Sequence, residues 1–236
     1  MMPHTAMLLA AGLGTRMRPL TETMPKPLVK VAGKCLIDYT LDQLAAAGVA
    51  RAVVNVHHFA AMLAQHVSAR PRPTIIVSDE TEQLLDTGGG IAKALPLLGS
   101  EAFFVFNCDA IIRDGRSAML NRLASAWSED LDVLMLVHPL GTAHGFDGPG
   151  DFFVASDGRM TRRGTASSAP FVYAGAYILH PRLIAAEPAT PFSMNKLWDR
   201  AIATERMRAL VHDGAWYHVG TPLAVGETEA LLAATA

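Results

Sequence analysis

Met7-Leu8-Leu9-Ala10-Ala11-Gly12-Leu13-Gly14-Thr15-Arg16-Met17-Arg18-Pro19, running on to Pro25-Lys26-Pro27, is the stretch whose reading decides the fold. The apolar run from Ala6 to Ala11 reads as a buried strand. Gly12 and Gly14 follow at once, and glycines after a strand let the chain turn tightly and bring backbone N–H groups close to an anion. Arg16 and Lys26 add fixed positive charge, the first as a fork of donors and the second as a point charge. A loop of this composition suits a polyphosphate.

Three readings compete for it. A dinucleotide fingerprint requires a third glycine where Met17 stands, so that match is partial. The P-loop pattern G-x-x-x-x-G-K-[ST] is absent. A glycine turn with incidental surface charge explains the glycines alone. It leaves Arg16, Pro19-Leu20-Thr21 and Pro25-Lys26-Pro27 without a reason to occur together.

Outward from this loop, the pattern alternates. Ile37, Leu41, Leu44 and Ala45 have helical spacing, with Gly48 as the stop. Val53-Val54-Asn55-Val56 reads as a strand, Ala60 to Ser68 as a helix closed by Pro71-Arg72-Pro73, and Thr74 to Val77 as a third strand. This alternation predicts parallel strands with right-handed crossovers, that is, an α/β fold with a doubly wound, mostly parallel, Rossmann-like sheet. Ligands in such sheets sit beyond the carboxyl ends of the strands, where the glycine loop lies. Three glycines, Gly88 to Gly90, lead into a helical pattern at Ile91, Ala92, Leu95 and Leu98. Phe103-Phe104-Val105-Phe106 is apolar enough to be a central strand, and it delivers Asn107-Cys108-Asp109 at its end. Ala118 to Trp127 reads as a helix and Leu131 to Val137 as a strand. A glycine-rich stretch from His138 to Gly150 precedes a meander with a hairpin turn at Asp157-Gly158. Phe171 to Leu179 is a further strand, and Gly175 in its middle marks a close approach to a ligand or a neighbouring strand. Asn195 to Ala203 follows as a helix with Ser193 as N-cap, then Met207 to Val211 as a strand and a last helix after Pro222.

Composition narrows the function. The chain has 236 residues, half of them hydrophobic and 18% charged, which suits one globular domain over residues 1–236. A net charge of -2 argues against a general nucleic-acid binder, so phosphate binding must be a local arrangement. Two cysteines, Cys35 and Cys108, make no disulfide framework and favour a reducing compartment. No basic n-region precedes the first strand, and no apolar run is long enough to span a bilayer. The expectation is a cytoplasmic protein with no membrane partner. His57 and His58, adjacent and without a carboxylate or cysteine cluster, read as surface or loop-packing residues.

Gly12-Leu13-Gly14-Thr15-Arg16 with Pro25-Lys26-Pro27 resembles the sugar-1-phosphate nucleotidyltransferases, whose signature is G-x-G-T-R followed by P-K-P. The resemblance runs from Met7 to about Glu229. Together with Asp86-Thr87-Gly88-Gly89-Gly90-Ile91, it is similar to the short members that transfer uridylate to N-acetylmuramic acid 1-phosphate in cell-wall recycling. It implies a nucleotide-binding part over about 1–115 and a sugar-binding part over about 116–236. It also implies a nucleoside triphosphate and a sugar 1-phosphate as substrates, with Mg²⁺ as cofactor. By this resemblance Arg16 and Lys26 are the catalytic candidates. Leu9, Ala11, Gly12, Gly14, Thr15, Asp86 and Gly88 hold the nucleotide. The resemblance also implies Gly145, Asp151 and Gly175, in the glycine-rich stretch and the strand after it, for the sugar. Asp109, in the place of the family's N-G-D aspartate, and His218, in the place of its second metal aspartate, are the metal positions. Cys108 stands where the family usually has glycine, and nothing near it in sequence activates it as a nucleophile. The family's Glu-Lys pair before the sugar strand reads here as Arg162-Arg163-Gly164, where an arginine would have to replace the lysine charge. No hexapeptide repeat follows, so no appended acyltransferase is expected. Two alternatives stay open: guanylyl transfer to mannose or heptose 1-phosphate (or cytidylyl transfer to phosphocholine), and a catalytically impaired nucleotide-binding regulator, which His218 and the missing Glu-Lys pair would suit.

Overall fold

The apolar run ahead of the glycines becomes strand β1 (Thr5–Leu9) of the computed structural model, which describes residues 2–234. A short hairpin, β2 (Lys30–Val31) and β3 (Lys34–Cys35), leads into α1 (Leu36–Ala46), β4 (Arg51–Val56), α2 (Ala60–Ser68), β5 (Thr74–Asp79), α3 (Asp86–Leu98) and β6 (Phe103–Asn107). Then come β7 (Ala110–Ile112), α4 (Met119–Ala126), β8 (Val133–Pro139), β9 (Phe152–Val154), β10 (Met160–Arg162) and β11 (Phe171–Leu179). The chain closes with α5 (Asn195–Ala203), β12 (Met207–Val211), β13 (Trp216–His218) and α6 (Pro222–Ala234).

β1 is parallel to β4 on one side and to β6 on the other, and β5 extends the sheet beyond β4. β11 runs antiparallel to both β6 and β8, and β12 lies parallel beyond β8. The sheet is therefore mostly parallel with one reversed strand near its middle. The β9–β10 hairpin continues it from the first residue of β11, where Phe171 pairs with Phe152.

Alternate residues of the central strands feed two cores, as the two-residue period of a strand requires. Ala6, Leu8, Phe104 and Phe106 face α1, α2 and α4 through Leu41, Leu63 and Leu123. Met7, Phe103 and Val105 face the other way, onto Ile91 and Leu98 of α3 and Leu197 and Trp198 of α5. Full burial of side chains this size stabilises by roughly 1.5–3 kcal/mol each. A third cluster joins Met17, Val29 and Val31 to Ile111, Tyr217, Val219 and Leu232, so the chain's last strand and helix hold down the segment after the glycine loop.

One helix starts, and another is capped, elsewhere than the sequence pattern indicates. α3 begins at Asp86, so the three glycines are its first turns and not a lead-in. They are packing glycines: a Cβ on Gly88 would lie 2.2 Å from the Phe192 ring, and one on Gly89 would lie 2.1 Å from the Thr190 carbonyl oxygen. At α5 the N-cap position is Met194, and the Ser193 hydroxyl accepts from the Asn195 N–H at 3.3 Å.

Candidate active site

β1, β4 and β6 end on the same side of the sheet, with Leu9 paired to Asn107. A cleft of about 350 Å³ opens there. Leu9, Ala11, Gly12, Gly14, Thr15 and Arg16 line one wall, Asp86 and Thr87 another, and Lys26 and Asp109 face each other within it. The loop's path has specific causes. Gly14 has φ +62°, and its carbonyl accepts from the Thr21 hydroxyl at 2.8 Å and from the Met17 N–H at 2.9 Å. Met17, where a dinucleotide fingerprint would need glycine, is a fully buried anchor that pins the turn carrying Arg16.

Lys26 sits between two prolines, and the turn Lys26–Leu28 closes with the Leu28 N–H on the Pro25 carbonyl at 2.9 Å. Leu28 packs into the core beneath. That fixes the lysine stem, and its Nζ lies 3.3 Å from Asp109 Oδ2, with the side chains 12% and 27% exposed. Burial pushes the Asp109 carboxyl up, but the Lys26 ammonium, then His218 and Arg16, outweigh it and hold its pKa below the usual carboxylate value. Asp109 is thus an anionic oxygen donor at the cleft, as a hard divalent cation requires. Cys108 beside it is buried, and burial together with Asp109 pushes its thiol far up, so it carries no thiolate.

His218 ends β13, with its N–H on the His144 carbonyl at 2.8 Å and its ring stacked 5.9 Å from Trp216. The ring stands behind Gly220, where a Cβ would come within 2.5 Å of Nε2. Gly220 lines the cleft and His218 does not. Burial lowers the imidazole's pKa, against a smaller opposite effect of Asp109, so the ring is neutral at pH 7. Among the described residues, the one trio of side chains spaced to share a metal is Cys35, Asp38 and His66. Its carboxylate is already taken by Arg70 and His66, each at 3.0 Å.

A second cavity of about 210 Å³ shares Leu9, Asp86, Thr87 and Asn107 with the cleft. Its far wall is aromatic: Trp198 stands edge-on to Tyr173 and Tyr177, with centroids 5.1 and 5.6 Å apart. The register of β11 slips between Tyr173 and Tyr177, and Gly175, at φ +85°, takes the strained position in that bulge.

The family model described as nucleotidyl transferase matches residues 5–147. This chain belongs to the nucleotidyltransferase family. It is 46% identical to the N-acetylmuramate alpha-1-phosphate uridylyltransferase of Caulobacter vibrioides over 98% of both chains. It is 33% identical to the protein of that name from Neisseria meningitidis, over 97% of this chain and 98% of that one. In fold it is similar to the inositol-1-phosphate CTP transferase of T. maritima, with a TM-score of 0.80 over 99% of this chain and 96% of that one, at 19% identity.

In this nucleotidyltransferase, the residues expected at the phosphates lie together, and several others do not. Gly88 faces Phe192 instead of the cleft, and its N–H donates to the Phe192 carbonyl at 2.8 Å. Gly145 is needed because a Cβ there would lie 2.3 Å from the His218 carbonyl oxygen. The Asp151 carboxylate accepts from the Tyr173 N–H at 2.9 Å, fixing the start of the β11 bulge. Arg162 is bound to Asp199 at 2.7 Å behind Trp198, and Arg163 is bound to the Gly150 and Ala166 carbonyls. Neither arginine lines either cavity. His57 and His58 bond the Glu80 and Thr21 carbonyls, the loop-packing role expected of them. Asn55, Asn107, Tyr173, Asn195 and Trp198 line these cavities and were given no site role from sequence, whereas Thr87, which also lines them, lay within the stretch quoted for the resemblance. The one available signal was Gly175, which marks the bulge beside Tyr173.

Proposed function

We propose that this nucleotidyltransferase joins the uridylate of UTP to the 1-phosphate of N-acetylmuramic acid, releasing pyrophosphate, with Mg²⁺ as its metal and peptidoglycan recycling in the cytoplasm as its setting. The observation that carries the reading is the Lys26–Asp109 pair facing the glycine loop across one cleft. The uridylyltransferases that match nearly the whole chain support the choice of base and sugar. Among the described residues, no helix is long and apolar enough to cross a membrane.

In this reading a phosphate oxygen of the sugar 1-phosphate attacks the α-phosphorus of UTP, and pyrophosphate leaves in line. Such transfers need positioning and charge neutralisation more than covalent help. Backbone from Leu9 to Thr15 holds the nucleotide, Arg16 meets the charge that develops on the leaving pyrophosphate, and Lys26 bridges the two reacting phosphates. Asp109 would hold Mg²⁺, which when bound neutralises phosphate charge. His218, neutral and set behind Gly220, stands back as a hydrogen-bonding partner. The smaller cavity walled by Tyr173 and Trp198 takes the sugar, and the chain works as one domain with its nucleotide part over about 1–115 and its sugar part over about 116–236.

Pyrophosphate release across a matrix of four nucleoside triphosphates and several sugar 1-phosphates tests this. The expected result is a maximum at UTP with N-acetylmuramic acid 1-phosphate. A maximum at GTP with mannose 1-phosphate overturns the substrate assignment, and no release from any pair overturns the enzymatic one.

A further inference from the structure

Glu80 is 0% exposed, a carboxylate in the interior, and among the described residues it makes no ion pair. Its oxygens are used in one direction each. Oε1 accepts from Asn55 Nδ2 at 2.7 Å, and Oε2 accepts from the Leu85 N–H at 3.2 Å, at the N-terminus of α3 where a negative charge is favoured. Asn55, itself 2% exposed, turns its Oδ1 to the Ala10 N–H at 2.6 Å. One unbroken line of hydrogen bonds therefore runs from Ala10 through Asn55 and Glu80 to Leu85. Gly90 leaves room for it: a Cβ there would lie 2.8 Å from Glu80 Oε1 and 2.9 Å from Asn55 Nδ2.

The ends of that line are the two walls of the cleft. Ala10 opens the phosphate loop, and Leu85 precedes Asp86 and Thr87 across from it. A buried carboxylate without a cation is costly compared with a carbon side chain of similar size. Bulk alone would not call for it. What it supplies is two acceptors at fixed separation, each taken by a donor that is tied to a different wall.

We propose that Glu80 is a positioning residue for the triphosphate, setting the spacing of the two cleft walls through Asn55 and the Leu85 N–H. This rests on the nucleotide-binding reading of the cleft. The aromatic wall of the sugar cavity, on β11 and α5, is not part of the line, while Asp86 and Thr87 border both cavities, so the effect falls more heavily on the triphosphate than on the sugar phosphate.

The hydrogen-bond directions provide the test. Glu80→Gln leaves one donor facing another, either at Leu85 or at Asn55. Asn55→Asp sets two carboxylates against each other. The double variant N55D/E80Q restores every pair with the middle bond reversed: the introduced carboxylate accepts from the Ala10 N–H and from the introduced amide, whose oxygen accepts from the Leu85 N–H. Binding of the triphosphate that the wild type turns over is measured by calorimetry without sugar phosphate, alongside KM for both substrates and the melting temperature. Each single variant is expected to weaken triphosphate binding by about tenfold or more, the scale of one orphaned buried donor. KM for the sugar phosphate should stay within about threefold, and the double variant should regain most of the lost affinity. If a single variant does not fold, the double variant still decides. Wild-type affinity in Glu80→Gln, a double variant no better than the singles, or parallel loss of both substrates would overturn the positioning role. A wild type that binds no triphosphate overturns the reading of the cleft itself.

Discussion

Lys26 Nζ and Asp109 Oδ2 stand 3.3 Å apart although 83 positions separate them in the chain. The lysine comes from a proline-fixed turn and the aspartate from the end of a central strand, so two rigid elements set the contact. The pair leaves a cation and an anion side by side at the cleft, able to serve a phosphate and a metal at once.

Lys26→Ala is expected to impair the sugar phosphate as well as the triphosphate, because a bridging cation serves both. Titrating each substrate against the variant at saturating levels of the other separates the two. A change confined to triphosphate affinity would remove the bridging role.

Arg16→Ala should lower kcat by about 10²-fold or more with a modest change in triphosphate affinity, since the charge it meets develops in the transition state. Steady-state kinetics with a direct binding measurement checks this. A pure rise in KM at unchanged kcat would assign Arg16 to ground-state binding.

His218→Asp should lower the Mg²⁺ concentration needed for half-maximal activity, because a carboxylate near Asp109 adds a hard oxygen donor where a neutral imidazole now stands. The wild type should still work best with Mg²⁺ across a series of divalent cations. A wild type active with Co²⁺ or Zn²⁺ and inert with Mg²⁺ would make His218 a direct ligand.

Stability should fall as pH drops below about 6.5, well before the carboxylates titrate. His138 and His212 pack with ring centroids 5.7 Å apart, and burial lowers the pKa of each below the ordinary 6.5. Each Nε2 is bonded to a backbone carbonyl, of Thr142 and Arg113, and each Nδ1 is buried with no partner at hydrogen-bond geometry among the described residues, the Ala215 backbone lying nearby at His212. The unfolded chain takes up protons below 6.5 that the folded one resists, so stability is full above that value and is lost as pH falls toward the depressed pKa. The charged and titratable neighbours are His144 beside His138, and Asp213 and Arg122 beside His212. Urea midpoints at about pH 7.5, 6.5 and 5.5 should decline, and the decline should be smaller in His138→Asn. A flat series would show that the folded protein accommodates the charge.

The glycine-loop wall of the cleft was legible because it is contiguous. A strand, two glycines, an arginine and a proline-flanked lysine lie within Met7–Pro27, and Asp109 follows a strand too apolar to lie at an edge. The alternation of elements likewise gave the doubly wound sheet. What sequence could not show is which polar groups the backbone itself consumes. Gly145 and Asp151 look like ligand-facing loop residues, yet the first yields to the His218 carbonyl and the second holds the Tyr173 N–H. Asn55 reads as an ordinary polar residue of a strand, and only its pairing with Glu80, 25 positions on, makes it part of the cleft wall. Tyr173 and Trp198 meet because β11 and α5 converge, a tertiary fact with no local signature.

The contact of Phe192 and Thr190 with the glycines of α3 also bears on how relatives of this enzyme can be recombined. Residues 190–192 belong to the later part of the chain, and they fill the space left by side chains missing in the earlier part. A hybrid joined near residue 115, with its later part from a relative carrying bulkier residues there, would present the wrong shape to Gly88 and Gly89 and close the helix away from its seat. The compatible exchange carries Leu85–Gly90 together with the segment around Phe192. The two pieces, far apart in the chain, would then be exchanged as one mould.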